Sequence, residues 1–287
     1  MSRQGLLCYA AEDIPRNQWF IAELIRCAES EGCTLRLCTA DTAFSAEQLP
    51  PLVLNRSRSA DFAALCEETP GVCVYNSADV TRITNDKYRT HCFLRAHGIP
   101  TADTWLVRPG DAIPALPLPL VAKPPDGHGG AGVELLTDER ALFHAARTRK
   151  RPFLLQRPMV FGWDMRVYVL GGEIYAAMLR RSERDFRSNF SLGGTAEQVQ
   201  PDAEIRALVQ QVQTALPLGF AGVDILRHPD GSCVIGEIED AVGCRMLYAH
   251  TDRNPARDLI HYTLRESGRG AQETPRDPVL PQTGKDV

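Results

Sequence analysis

Residues 222–243, GVDILRHPDGSCVIGEIEDAVG, limit the folds open to this chain more than any other stretch. Two apolar β-type runs flank Pro229-Asp230-Gly231, whose fixed and permissive backbone angles suit a reversal, so the stretch is expected to form a hairpin. Strand side chains alternate between faces, so Glu237 and Glu239 share one face. A loop over residues 228–231 would then set Asp224 opposite Ile235 on that same face. Three carboxylates brought together repel unless neutralised, and hard oxygen ligands completed by substrate phosphates are how proteins hold Mg²⁺. The pattern points to a magnesium-nucleotide site. A solvated acidic strand face is the plainer reading of Glu-x-Glu alone; the glycine loop and basic residues upstream favour the metal.

With 287 residues the chain can bury a sizeable core and divide into two or three lobes. A formal net charge of -4 argues against a general nucleic-acid binder. The nine cysteines include no Cys-x-x-Cys pair, and several sit inside apolar runs, as expected of small hydrophobes in a reducing compartment. No apolar run reaches the length of a membrane span, and the N-terminus lacks a basic-then-apolar leader pattern. The expected location is cytoplasmic, with no nucleic-acid and no membrane partner.

Residues 5–10 read as a first strand, followed by a helix that Asp13 and Pro15 open, with Phe20, Leu24 and Cys27 or Ala28 at helical spacing and Gly32 as its stop. Residues 35–39 and 52–55 are further strands, 61–68 a helix and 71–76 a strand, so residues 1–76 are expected to form an α/β unit. Arg56 and Arg58 stand just past a strand end, where open α/β sheets place ligand contacts; they are candidates for an anionic substrate, solvated loop arginines being the alternative. Asn85 or Thr84 would cap the next helix. Lys87 then falls in its first turn, where the helix dipole disfavours a cation; a bound phosphate would account for it, as would a plain surface lysine.

The segment PLVAKPPDGHGGAGVELL has a strand ending at Lys123, a glycine-rich loop and a second strand. Gly127, Gly129 and Gly132 match G-x-G-x-x-G, but no helix follows, so the segment reads as a hairpin whose tip can lie over phosphates while Lys123 supplies a point charge. Residues 138–150 are expected to be helical, 153–156 a strand, and DMRVYVLGGEIYAAMLRRS a hairpin turning at Gly171-Gly172 with Asp164 and Arg166 on one face. Residues 185–194, DFRSNFSLGG, read as a loop that closes on a ligand. Residues 202–216 form an amphipathic helix, and residues 257–265 a last helix before a Pro-, Gly- and charge-rich tail expected to be disordered.

Taken in order, NDKYRT with HGIP, PLVAK with its glycine loop, DMRVYVLGGEIYAAMLRR, DFRSNFSLGG, and GVDIL with EIEDAVG resemble the ATP-grasp superfamily, and within it the RimK-like carboxylate-amine ligases of alpha-L-glutamate type. The resemblance implies an α/β (α+β) ATP-grasp fold: an N-terminal α/β domain over residues 1–76, a central lobe over 77–160 and a C-terminal lobe with the metal site over 161–266, whose antiparallel sheets sandwich ATP. Residues 267–287 remain as the tail. It also implies ATP and Mg²⁺ (or Mn²⁺) as cofactors. Lys87, Lys123, Gly129 and Gly130 would hold the phosphates, with Ser188 beside them. Gln156, Arg157, Pro158 and Met159 would form the adenine-contacting hinge and Asp164 the ribose contact. Asp224, Glu237 and Glu239 would be metal ligands, and Arg166, Arg187 and Asn189 would surround the transferring phosphoryl group. Glu239 stands where the family often has Asn, and Arg157-Pro158 where it usually has an acidic residue and an aromatic or aliphatic one. Beyond them, DAVGCRMLY departs from the family's short turn, and Arg245 there is a candidate substrate contact.

The activity so implied is ATP-dependent formation of an amide or peptide bond through an acyl phosphate. Oxide is a poor leaving group, so the γ-phosphate is moved onto a carboxylate and an amine then displaces phosphate. The expected partners are a small-molecule carboxylate and amine, amino acids or a peptide or carrier protein among them, and a second copy in a homo-oligomer. The same cradle also suits a kinase phosphorylating a small molecule, or a non-catalytic nucleotide-binding protein.

Overall fold

The computed structural model describes residues 3–42, 44–127, 129–182 and 195–270. In chain order the regular elements are β1 (Arg3–Tyr9), α1 (Ile14–Ser30), β2 (Cys33–Thr39), β3 (Leu52–Arg56), α2 (Ala60–Glu68), β4 (Cys73–Tyr75), α3 (Ala78–Thr84), α4 (Lys87–Ala96), β5 (Thr104–Val107), β6 (Leu120–Lys123), β7 (Glu134–Leu136), α5 (Glu139–Thr148), β8 (Phe153–Gln156), β9 (Trp163–Leu170), β10 (Glu173–Arg181), β11 (Thr195–Val199), α6 (Ala203–Ala215), β12 (Phe220–Arg227), β13 (Cys233–Glu239), α7 (Arg245–His250) and α8 (Pro255–Gly270). No helix among the described residues is long and apolar enough to cross a membrane.

These elements make three sheets. The first, in the order β2-β1-β3-β4, is wholly parallel and carries helices on both faces, so its central strands read as continuous apolar runs. Leu7 and Tyr9 of β1 face a core shared with Phe20, Leu24 and Ala28 of α1, while Leu6 and Cys8 face Phe62 and Cys66 of α2. The second sheet, β5-β8-β6-β7, is antiparallel and packs its own small core against Leu142 and Ala145 of α5.

The third sheet, β11-β10-β9-β12-β13, is antiparallel and sorts its side chains by face. Met165, Val167 and Val169 of β9, with Val223 and Ile225 of β12, pack on Ile205, Val209 and Val212 of α6. Asp164, Arg166, Arg180 and Asp224 stand on the other face. The β9–β10 reversal uses Gly171 at φ +60 and Gly172 at φ +87, a pair of positive angles that matches the strand twist and costs a glycine little.

Several expectations change in detail. Asp86, not Asn85 or Thr84, caps α4, its carboxylate accepting from the N–H groups of Tyr88 at 2.8 Å and Arg89 at 3.0 Å. Asn85 instead ends α3, a helix the sequence reading did not separate. β5, β11 and α7 were not anticipated either, and α8 runs to Gly270, into the stretch expected to be disordered.

The acidic hairpin is the main correction. Its loop covers residues 228–232, with Arg227 paired to Cys233, and Asp224 lies opposite Glu237 rather than Ile235. A bulge makes the difference. Ile225 pairs with Ile235 and Asp224 with Glu237, so Gly236 is the extra residue. Without it Ile235 and Glu237 would share a face; with it Ile235 enters the core under α6 and Glu237 turns to join Asp224.

Candidate active site

A cleft of about 860 Å³ opens between the second and third sheets, with the first sheet and α1 bordering one end. Such a volume suits a nucleotide-sized ligand. Every nucleotide or metal residue expected from sequence that lies among the described residues lines it. Lys123, Gly129 and Gly130 come from β6 and the glycine loop, Lys87 from α4, and Gln156, Arg157, Pro158 and Met159 from the segment joining β8 to β9. Asp164 and Arg166 stand on β9, and Asp224, Glu237 and Glu239 on the acidic hairpin. Arg187, Ser188 and Asn189 lie outside the described residues.

The three hairpin carboxylates offer oxygens within 4.8 Å of one another. Cations packed among them offset the repulsion. Arg166 makes a two-pronged contact with Asp224, Nε to Oδ1 and Nη2 to Oδ2 both at 2.7 Å, and its Nη1 reaches Glu239 at 2.9 Å. Arg180 donates Nη2 to Asp224 at 2.9 Å and Nε to Asp164. Lys87 Nζ lies 2.7 Å from Glu237 and also donates to the Gly127 carbonyl. Its helix is tied to the glycine loop by Lys87 N–H donating to the Pro125 carbonyl at 2.9 Å.

The protonation preferences follow from this packing. Burial pushes the Asp224 carboxyl up, but Arg166 and Arg180 more than reverse it and hold it below the usual carboxylate range. Burial raises Glu239 despite Arg166, and lifts Asp164 to about 6 despite Arg180. Hard, charged oxygen donors converging from one hairpin fit Mg²⁺.

Across the cleft, Lys123 is half-buried and its Nζ donates to the Gln156 side-chain oxygen at 2.9 Å, a neutral partner. Burial draws its pKa down to about 8, against the raising effect of Glu237. Gln156 in turn donates to Thr104 Oγ1 at 2.9 Å, so the hinge residue is a brace for the lysine. Arg157 N–H is taken by the Asp103 carbonyl at 2.9 Å, and Pro158 has no N–H; neither offers a backbone donor to an adenine ring. A half-buried cation facing a glycine loop fits phosphate groups.

Sequence reading missed Arg180 and Asn76. Arg180 pairs in register with Asp164 across β9 and β10, but an irregularity between Ile174 and Ala176 shifts the register by one, so counting outward from the Gly171-Gly172 turn sets Leu179 there instead. Asn76, buried at the end of β4, accepts from the N–H groups of Gly219 and Phe220 at 2.9 and 3.0 Å and donates to the carbonyls of Phe220 and Asp240, tying the parallel sheet to both strands of the acidic hairpin. No local pattern announces it.

Residues 84–263, more than half of the chain, match the family model of the RimK-like ATP-grasp domain. A probable alpha-L-glutamate ligase 2 of Hahella chejuensis is 30% identical over 210 residues, covering 69% of this chain and 69% of that one. The glutamate–LysW ligase ArgX of Sulfurisphaera tokodaii is 28% identical over 210 residues, 68% of this chain and 74% of the relative. Among solved structures, a RimK domain ATP-grasp protein of Sphaerobacter thermophilus superposes with a TM-score of 0.68 at 22% identity, covering 91% of this chain and 99% of the other.

Proposed function

From the premise that this chain belongs to the RimK-like ATP-grasp family and is an ATP-dependent carboxylate-amine ligase, we propose that it joins the amine of an amino acid, glutamate foremost, to a carboxylate within the cleft just described. The observation that carries the site assignment is the facing of two charge sets across one cavity: Asp224, Glu237 and Glu239 on the hairpin, and Lys123 with the glycine loop opposite. The names of the glutamate-ligating relatives support the choice of amine.

In this reading a substrate carboxylate oxygen attacks the γ-phosphorus of ATP and ADP departs, leaving an acyl phosphate. The amine nitrogen then attacks the acyl carbon, inorganic phosphate leaves, and the nitrogen gives up a proton. Lys123 and the glycine loop would hold the phosphates and Arg166 would face the group in flight; Arg187 and Asn189, outside the described residues, are given that role by the family resemblance alone. Asp224, Glu237 and Glu239 would hold Mg²⁺, which when bound neutralises phosphate charge. Arg180 keeps Asp224 ionised and aimed, so it positions rather than reacts. Positioning and charge neutralisation of this kind are worth about 10²–10³ in rate for each donor aimed at developing charge.

The test is phosphate release from MgATP in the presence of carboxylates and amino acids, singly and in pairs, with mass spectrometry of the products. Release that needs both partners, and a product lighter than their sum by one water, is the expected result. A phosphorylated product without condensation would replace this reading with a kinase.

A further inference from the structure

Beyond the nucleotide end the cleft continues to the first sheet, where Tyr9, Arg56 and the edge-on pair Trp19–Tyr248 border it. Four arginines stand here, and two are already matched. Arg16 and Arg58 both pair with Asp13, Arg58 at 2.6 Å. Arg56 and Arg245 have no carboxylate within ion-pair distance among the described residues.

Arg56 is the sharper case. Its side chain is buried, its Nε donates to the Tyr9 hydroxyl at 2.8 Å, its Nη2 donates to the Val242 carbonyl at 2.9 Å, and it lies over the Phe20 ring at 5.2 Å. Every one of these partners is neutral. Among the described residues Nη1 has no hydrogen bond, and Arg56 lines the cleft. Asp240 borders the same region but makes no ion pair with Arg56, and its carboxylate accepts from Asn85. Asp240 favours the charged guanidinium only from beyond ion-pair distance, so a direct ionic contact at Arg56 is left for an anion entering the cleft.

Arg245 opens α7 and, among the described residues, makes a single long polar contact, 3.4 Å to the Arg16 carbonyl. Both arginines are fixed relative to the metal carboxylates through one loop. Val242, which receives Arg56, follows Glu239 by three residues, and the Gly243 carbonyl is held by the Tyr168 hydroxyl at 2.9 Å.

We propose that the carboxylate substrate of this ligase is at least a dianion, one acidic group seated on Arg56 and a second reaching Arg245. The proposal rests on the ligase reading, and specifies which acids that ligase accepts.

The test uses the full chain saturated with MgADP, and glutarate and its monomethyl ester as probes, titrated by calorimetry. Arg56→Gln is expected to weaken glutarate at least about tenfold and Arg245→Gln about threefold, the scale of losing one charge-assisted hydrogen bond. Arg56→Lys, which keeps the charge but not the planar fork, should fall between wild type and Arg56→Gln. The monoester should bind wild type about as weakly as glutarate binds Arg245→Gln, and lose nothing further in that variant. Unchanged glutarate affinity in the variants, with native melting and MgADP binding, overturns the proposal; should Arg56→Gln not fold, Arg56→Lys and Arg245→Gln decide by the same criterion. Wild-type protein that binds MgADP but not glutarate also overturns it, while leaving the ligase intact. Failure of wild type to bind MgADP would instead bring down the ligase reading and the proposal together.

Discussion

On the third sheet each cleft carboxylate has a cation against it: Asp224 lies between Arg166 and Arg180, Glu239 meets Arg166, Glu237 meets Lys87 and Asp164 meets Arg180. On the second sheet the ammonium of Lys123 has, among the described residues, only the amide oxygen of Gln156 as a hydrogen-bond partner. Both regions face the same cavity, yet one is ion-paired within itself while the other, among the described residues, has no ion pair and feels Glu237 only from across the cleft. The difference separates two kinds of cost. Removing one member of the ion-paired set leaves its partners short of a counter-charge in a low-dielectric interior, whereas removing the lone cation relieves burial and harms only binding.

Four measurements can break or sharpen that contrast. The largest effect is expected from Asp224→Asn, which leaves Arg166 with Glu239 alone and Arg180 with Asp164 alone and should cost about 3–5 kcal/mol of stability in urea unfolding, besides abolishing ligation. A neutral result would mean that the third sheet is not a compensated set. Lys123→Met should lower MgATP affinity about 100-fold while stability stays within about 1 kcal/mol or rises, because a half-buried charge without an ion pair has been removed; strong destabilisation would contradict the contrast from the other side.

Next in size is Gly236→Ala. A Cβ there would stand 2.6 Å from Leu226 Cγ and Cδ1, so the bulge must shift. The expected cost is about 1–3 kcal/mol, with a raised magnesium requirement in the ligation assay as Glu237 loses its aim.

The smallest effect is one of pH. With the folded pKa of Lys123 at about 8, below its unfolded value near 10.5, the unfolded chain binds more protons between these limits. Stability therefore rises with pH through that window, and the penalty for burying the charge is present in full below it. Phosphates restore the charged form, so MgATP binding should take up a proton above pH 8 and weaken by at most about tenfold per pH unit. Calorimetry in two buffers of different ionisation enthalpy measures this uptake; none at pH 9 would place Lys123 away from the phosphates.

What could be read in advance was whatever is contiguous in the chain. Lys123 with its glycine loop, the Gly171-Gly172 turn and the acidic run of β13 each state their local geometry within about ten residues, through turn chemistry and alternation. Asp224 was placed on the right face by the wrong register, since a one-residue bulge leaves no mark except a glycine whose neighbour is 2.6 Å from where a side chain would start. Arg180 and Asn76 were not recognised, and Gln156 was named for the hinge but not as the brace of Lys123, because these roles are set by partners from 16 to 164 residues away. The same distance hid the difference between Arg58, which is matched by Asp13, and Arg56, which is not: side by side in the chain they are indistinguishable.

On its α1 side the parallel sheet does not own its core, although its α2 side does. Leu7, Tyr9, Leu54 and the inner face of α1 pack in one continuous cluster with Tyr168 and Met178 of the third sheet and with Met246, Leu259 and Leu264 of α7 and α8, whereas the second sheet keeps a core to itself. For anyone exchanging parts between related ligases, the natural seam therefore runs around the second sheet and not after β4. A chimera that takes a foreign first sheet must import α7 and α8 with it, and inherits the end of the cleft that Arg56 and Arg245 border as a single piece.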